Sequence, residues 1–499
     1  MEFGGIFWIS LFAIIWVAIS IGQYKLFEKA GQPGWAAFVP VYSWIVWLKI
    51  IGKPVWWAAL LIIPVVGTLV GVAMVIEFVK AYGKYKLRDH AAALLLGFVY
   101  LPKIGFDQSV KYLGPPDEHK NIPAKSQGRE WGDALLFAGV AALIIRTFFI
   151  EAFMIPTSSM ERTLMAGDFL FVSKFHYGTR MPMQPLSVPF VHNKIKIGDF
   201  VMPSYVPGVK LPYYRLPGLE KVERNDIVVF NYPAHDIHDL GDGAGKVEEI
   251  SMKENYIKRC VGMPGDVLEV RDMQIYINGE TGENPEHMQY EYIVQTDGTK
   301  LRDKAMNRYG FRALNGATQN PNWLARNNNN YTMFMPEYVA EEMRQKVSVI
   351  KKMEQVYKTN KQVDPLSGVI YPRIKNDKGT LFPWNMDQYG PITIPKKGVT
   401  IPLTKENLSV YWRVIDVYED HDLMEENGKV FIDGEETKEY TFELDYYWMM
   451  GDNRHNSQDS RWWGFVPETY IVGKPLFVFF SYEADFGVRW SRIGTKYVK

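Results

Sequence analysis

From Asp133 to Phe153 the chain reads DALLFAGVAALIIRTFFIEAF, and MIPTSSMERTL (Met154–Leu164) follows with no linker between them. A run of about 20 mostly apolar residues is the length of a helix crossing the hydrocarbon layer of a bilayer. Such a segment has to be buried in lipid or in a core, and no other feature narrows the fold so far. Gly4–Gly22 and Trp56–Val79 share the property, while Gly34–Ile50 is shorter and carries Pro40. Ala91–Pro102 is too short to cross and reads as a buried or interfacial helix. The expectation is an α-helical membrane domain of three to four spans, with residues 1–132 multi-span and 133–153 the anchoring transmembrane helix. Lysines and arginines crowd Lys80–Arg129, so the positive-inside rule makes 80–132 a cytoplasmic loop. Everything after Phe153 is then extracytoplasmic.

The remainder has a different texture. Short β-branched and aromatic runs such as DFLFVSKF, NDIVVFNYP and DVLEVRDMQIYINGE alternate with Gly, Pro and Asn turns, which suits antiparallel sheets. One helix interrupts them in Pro336–Lys358, where Val339, Met343, Val347, Ile350 and Tyr357 recur at about 3.6 residues. The charge balance excludes one class of partner: Lys plus Arg equals Asp plus Glu at 56 each, without the basic footprint of a nucleic-acid binder. A single cysteine, Cys260, excludes an internal disulfide and reads as a small buried residue.

Three stretches carry candidate chemistry: IPTSSMERTLMAGD (Ile155–Asp168), NYIKRCVGMPGD (Asn255–Asp266) and MMGDNRHNSQDSRWWGFVP (Met449–Pro467). A serine hydroxyl is a weak nucleophile without an adjacent base. None of the nine histidines sits in a triad motif. A lysine can serve if an apolar site strips its proton, since burial disfavours the charged amine. In a strand, Lys258 and Cys260 face one side and Arg259 the other, so the neighbouring charge points away.

Together and in this order, the stretches resemble the type I (bacterial) signal peptidase family: a nucleophile motif, a lysine motif and a glycine-aspartate-asparagine-serine motif. RNDIVVFNYP (Arg224–Pro233) matches a fourth, structural strand motif. The resemblance implies a membrane-bound serine endopeptidase that removes signal peptides from exported preproteins after Ala-x-Ala-like sites. It implies Ser159 as nucleophile, Lys258 as general base, and an oxyanion held by the Ser159 N–H and the Thr157 hydroxyl. Ser457 would orient the lysine, and Asp459 with Arg461 would brace that loop beside Gly451, Asp452, Asn453 and Arg454. Phe153, Ile155, Met160, Leu164, Val229, Tyr256 and Ile257 fall where the family builds its shallow apolar substrate pockets. The implied place is the bacterial cytoplasmic (inner) membrane, with the catalytic core, residues 154–267 and 445–499, on the periplasmic side. The implied partners are preproteins, the lipid bilayer and the secretion translocon, with no metal and no cofactor. Residues 268–444 are expected to form a large β-rich inserted second lobe in a mainly antiparallel β catalytic domain.

Three positions depart from the pattern. Arg162 stands for a common proline, Asn225 for a glycine and His455 for an aspartate, which makes His455 the rival base. HDIHDLGD (His235–Asp242) has ligand-type residues at close spacing and is read as a hairpin loop rather than a metal site. The rival functions are a peptidase specialised for pilins or another secretion substrate, and an inactive assembly factor.

Overall fold

The computed structural model describes residues 2–62, 66–118, 127–184, 187–188, 191, 194–198, 200–206, 209–233, 249–302, 306–311, 323–325, 329–358, 370–372, 382–483 and 487–496. They form two compact units, one of residues 1–147 with 182–212 and one of 148–181 with 213–499.

The first unit is mainly helical, with one strand pair, Lys194–Ile197 and Phe200–Pro203. Its long opening helix, Glu2–Lys29, is followed by Tyr42–Ile50, Trp57–Leu61, Val66–Lys80, Leu87–Leu95, Gly97–Phe106 and Gln127–Phe148. Glycines let two of these helices touch: a Cβ on Gly22 would lie 2.3 Å from the Pro102 nitrogen, and one on Gly105 would lie 2.8 Å from the Gly22 carbonyl. The core joins Leu26, Phe27, Trp47, Phe78 and Tyr82, with Trp47 stacked on Phe78 at 4.3 Å. Within the expected cytoplasmic loop, where one buried or interfacial helix was expected at Ala91–Pro102, the chain forms two packed helices, Leu87–Leu95 and Gly97–Phe106.

The described residues do not show the three to four expected spans. Among the described residues no helix is long and apolar enough to cross a membrane. Contiguous hydropathy is cut where the backbone turns. Gly34–Ile50 breaks at Val39–Val41 into a five-residue turn and a nine-residue helix. Trp56–Val79 contains helices of five and 15 residues. Asp133–Phe153 ends as a helix at Phe148, and its last residues form a strand. In Glu2–Lys29 the described side chains begin at Trp16. The multi-pass topology, and the orientation argued from it, fall with the spans.

The second unit is built on an eight-stranded antiparallel sheet: β1 (Ile150–Met154), β2 (Asp168–Ser173), β3 (Ile227–Asn231), β4 (Asn255–Gly262), β5 (Tyr446–Met450), β6 (Val466–Pro467), β7 (Ile471–Glu483) and β8 (Gly487–Val488). The order is β1-β2-β7-β3-β4-β5-β6, with β8 on β7. Strands from before and after the insertion thus share one sheet. Asn225, where glycine is usual, has φ +71, which explains that preference.

Between β4 and β5 the described residues form four further sheets: two small ones, Thr400–Pro402 with Glu439–Thr441 and Leu423–Glu426 with Lys429–Ile432 and Glu435–Thr437, and two of four strands each. Tyr389–Thr393, Val267–Arg271, Gln274–Ile277 and Glu280–Thr281 make one. Its residues Leu268, Val270 and Ile392 share a core with Trp448 and Phe465 of the main body. The other contains Trp323–Ala325, Asn330–Met335, Tyr290–Thr296 and Ile350–Gln355, around Tyr292, Met306, Phe311 and Met333. The expected helix of Pro336–Lys358 is real only at Glu337–Lys346. Ile350–Gln355 instead pairs with Tyr290–Thr296 as a strand, the tertiary partner overriding the helical spacing of Val347, Ile350 and Tyr357.

Candidate active site

β1 delivers the chain at Met154 into a tight loop that β2 receives at Asp168. Ile155 N–H donates to the Asp168 carbonyl at 2.8 Å and Gly167 N–H to the Ile155 carbonyl at 2.8 Å. Met160 and Leu164, both fully buried, sink the turn into a cluster with Ile155, Leu170, Val172 and Val229. Ser159, one residue before the Met160 anchor, is left half-buried at the surface of that cluster. Its carbonyl accepts the Asn453 N–H at 3.1 Å, while Asn453 Nδ2 donates to the Ser158 carbonyl at 3.1 Å and Asn456 Nδ2 to Ser158 Oγ at 3.2 Å. Among the described residues no hydrogen bond occupies the Ser159 backbone N–H. Thr157 Oγ1 lies 3.4 Å from Ser159 Oγ.

Lys258 sits on β4 opposite Val228 of β3 and is 3% exposed. Its Nζ is 2.7 Å from Ser159 Oγ and donates to the Ile257 carbonyl at 3.0 Å. Burial pulls the amine from 10.5 down to about 8, against the opposing pull of Asp459 and Asp452. Both acids have their own cations. Arg259 holds Asp452 through Nε and Nη2 at 2.8 and 2.7 Å, and Arg461 holds Asp459 at 2.9 and 2.8 Å. Burial alone would raise these carboxyls, yet Arg259 and Arg461 keep each of them below the usual carboxylate range. The lysine therefore feels carboxylates already neutralised by bidentate partners.

The structure gathers Ser159, Lys258, Thr157, Gly451, Asp452, Asn453, Asp459 and Arg461 around one point. Gly451 is required there: a Cβ would lie 2.2 Å from Ser457 Oγ and 2.5 Å from the Ser159 carbonyl. Phe153, Ile155, Met160, Leu164, Val229 and Ile257 share the apolar cluster beside the nucleophile. Tyr256 belongs to a different one, stacked on Tyr232 at 4.5 Å with its ring 5.4 Å from the lysine Nζ. Ser457 does not hydrogen-bond Lys258; its buried hydroxyl forms no well-made bond beside Asp459. Arg454 is buried with its N–H on the Gln289 carbonyl at 2.9 Å.

His455 points elsewhere. Its Nδ1 accepts the Glu291 N–H at 3.2 Å, so Nε2 carries the proton it shares with Asp387 Oδ1 at 2.7 Å. Both ring nitrogens are thus committed to the inserted lobe. HDIHDLGD lies outside the described residues, and among the described residues no group of three or more His, Cys, Asp or Glu side chains could hold a metal. Cys260 is buried, and burial pushes its thiol well above the ordinary range.

Sequence reasoning missed Thr163, whose hydroxyl donates to Asp452 at 2.7 Å, and Gln289, whose Nε2 donates to the Glu161 carbonyl at 3.1 Å. Neither carries a local signal, since each acts across more than a hundred residues of sequence.

The chain is similar to known proteins over much of its length. The profile of the family described as "Signal peptidase, peptidase S26" matches residues 128–330 and 394–480, more than half of the chain. A family of unknown function matches residues 35–115. A Signal peptidase I of Buchnera aphidicola subsp. Baizongia pistaciae is 24% identical over 72% of this chain and 80% of its own length. That of Haemophilus influenzae is 25% identical over 74% of each chain, and that of Pseudomonas fluorescens is 32% identical over 30% of this chain and 38% of its own. The chain belongs to the signal peptidase family, peptidase S26, and is a peptidase of signal-peptide removal.

Proposed function

We propose that the protein is an endopeptidase cutting preproteins after Ala-x-Ala-like sites, with Ser159 as nucleophile and Lys258 as general base. The observation that carries this is the 2.7 Å contact between a buried amine held at about 8 and the hydroxyl at the head of the nucleophile loop. In the neutral state the amine lone pair accepts the Ser159 proton as Oγ attacks the scissile carbonyl. The resulting ammonium gives that proton to the leaving amine, and the amine then activates the water that hydrolyses the acyl-enzyme. The oxyanion would be held by the Ser159 N–H and the Thr157 hydroxyl.

Two open strand edges support an extended substrate. β1 is the terminal strand of its sheet, and β5 pairs with β4 only over Arg259–Gly262, leaving Asn255–Ile257 open on that side. Both edges run into the dyad. The apolar cluster of Phe153, Ile155, Val229 and Ile257 beside them would favour small side chains near the cut. The substrate carries an apolar signal sequence, so the enzyme would work against the extracytoplasmic surface of a bilayer, beside the translocon. Support comes from residues 182–212, where Phe200, Val201, Met202, Val206, Val209 and Leu211 stand exposed with Lys194, Lys196 and Lys210.

The test is cleavage of an Ala-x-Ala precursor by the full chain. Ser159→Ala and Lys258→Ala should each abolish it while folding normally, and Lys258→Arg should fail too, because arginine stays protonated. Near-normal activity in either alanine variant would remove the assignment.

A further inference from the structure

The nucleophile loop makes an unusual backbone turn three residues after its serine. Arg162 has φ +67, a left-handed conformation that a non-glycine residue holds at a cost and that proline cannot adopt. Such strain persists where the surroundings over-determine it. Here the surroundings are the inserted lobe, which holds the side chain, and Arg492, whose Nη1 donates to the Arg162 carbonyl at 3.5 Å and Nη2 to the Thr163 carbonyl at 2.9 Å. The Arg162 guanidinium donates to the Tyr309 carbonyl and lies 5.8 Å from the Phe311 ring centroid. Gly310, at φ +82, leaves room for it, since a Cβ there would stand 3.0 Å from Nη2. Tyr309 and Phe311 are rooted in the lobe's own core with Tyr292, Met306 and Met333.

The adjacent peptide unit is held by the same lobe. Gln289, fully buried, donates its Nε2 to the Glu161 carbonyl at 3.1 Å. Its backbone N–H donates to the Asp452 carbonyl at 2.8 Å, and its carbonyl accepts the Arg454 N–H at 2.9 Å. Asn453, between those two, is the residue whose N–H holds the Ser159 carbonyl. One lobe therefore grips the loop that bears the nucleophile and the loop whose Asp452 pairs with Arg259, next to the lysine on β4.

We infer that Arg162 is a positioning residue for the nucleophile and that the inserted lobe, through Arg162 and Gln289, sets Ser159 against Lys258. The inference rests on the reading of Ser159 as nucleophile. Catalysis depends steeply on such placement: an ångström of drift is worth about 10²-fold. The guanidinium touches no reacting atom, so its loss should lower kcat and leave KM nearly unchanged.

The experiment measures kcat and KM on an Ala-x-Ala peptide for the full chain and for Arg162→Ala, Arg162→Lys, Gly310→Ala and the Arg162→Ala/Gly310→Ala double variant. Arg162→Ala should lower kcat by about 10- to 100-fold with KM within about twofold, and Arg162→Lys should recover part of the loss. Gly310→Ala, which displaces the guanidinium from the lobe side, should do the same, and the double variant should be no worse than the worse single one. Wild-type kcat in Arg162→Ala, a change confined to KM, or losses that multiply in the double variant would overturn the inference. Ser159→Ala in the same assay separates the two claims. If it is inactive while Arg162→Ala is wild-type, the inference alone fails; if it is active, the nucleophile reading fails and the inference with it.

Discussion

A lysine kept ready to act as a base is an expense to the fold, and removing it should stabilise the enzyme it disables. Lys258 is 3% exposed and holds its proton only up to about 8, against 10.5 when solvated. At about 1.4 kcal/mol per pH decade, that difference is roughly 3 kcal/mol. Its sign is fixed by where the proton sits. Between about 8 and 10.5 the unfolded chain holds the proton and the folded chain does not, so stability rises with pH across that window. Below about 8 both states hold it and the full penalty applies. Lys258→Met keeps the length and apolar stem without the charge. It forfeits the contact with Ser159 Oγ, worth about 1 kcal/mol. The net gain at pH 7 should be about 2 kcal/mol, shrinking to nothing near pH 10. The assay is the denaturant midpoint of the second unit's unfolding, for wild type and variant at both pH values. Destabilisation by Lys258→Met at pH 7, or an equal gain at pH 7 and pH 10, would refute the account of a desolvated lysine.

Three further outcomes follow from the site. Thr157→Ala should lower kcat by on the order of 10²–10³-fold with intact folding, the loss of one oxyanion donor, as read by steady-state kinetics. Gly451→Ala should inactivate the enzyme even at low temperature, because its Cβ would meet Ser457 Oγ at 2.2 Å and the Ser159 carbonyl at 2.5 Å. Arg259→Leu should destabilise by about 3–5 kcal/mol, since it leaves Asp452 buried and unpaired, whereas Arg259→Leu with Asp452→Leu should lose less; denaturation curves decide it.

Much of the site's geometry was legible because it is local. Ser159 with Met160 and Leu164, and Lys258 alternating with Arg259, each carry their meaning within a few residues, and the strands around them show a period of two. The membrane spans were misread for the opposite reason. Hydropathy was summed across Val39–Val41 and across Phe148–Ile150, where the backbone changes conformation, and apolar length alone cannot tell lipid burial from helix packing in a core. The far half of Pro336–Lys358 looked helical until a partner strand at Tyr290–Thr296 claimed it. His455 looked like a rival base because Asp387, 68 residues away in sequence, leaves no trace beside it. Ser457 shows the limit of carrying roles over by motif, for its hydroxyl makes no hydrogen bond to the lysine amine.

The central claim is that the base is Lys258, and the dependence of kcat/KM on pH tests it most directly. With a free-enzyme lysine at about 8, the rate at subsaturating substrate should rise about tenfold per pH unit below that value and level off above it. His455→Ala should show the same limb, because both nitrogens of that ring are spent on Glu291 and Asp387. A limb near the ordinary histidine value of ~6.5 that disappears in His455→Ala would contradict the account and return the proton to the histidine.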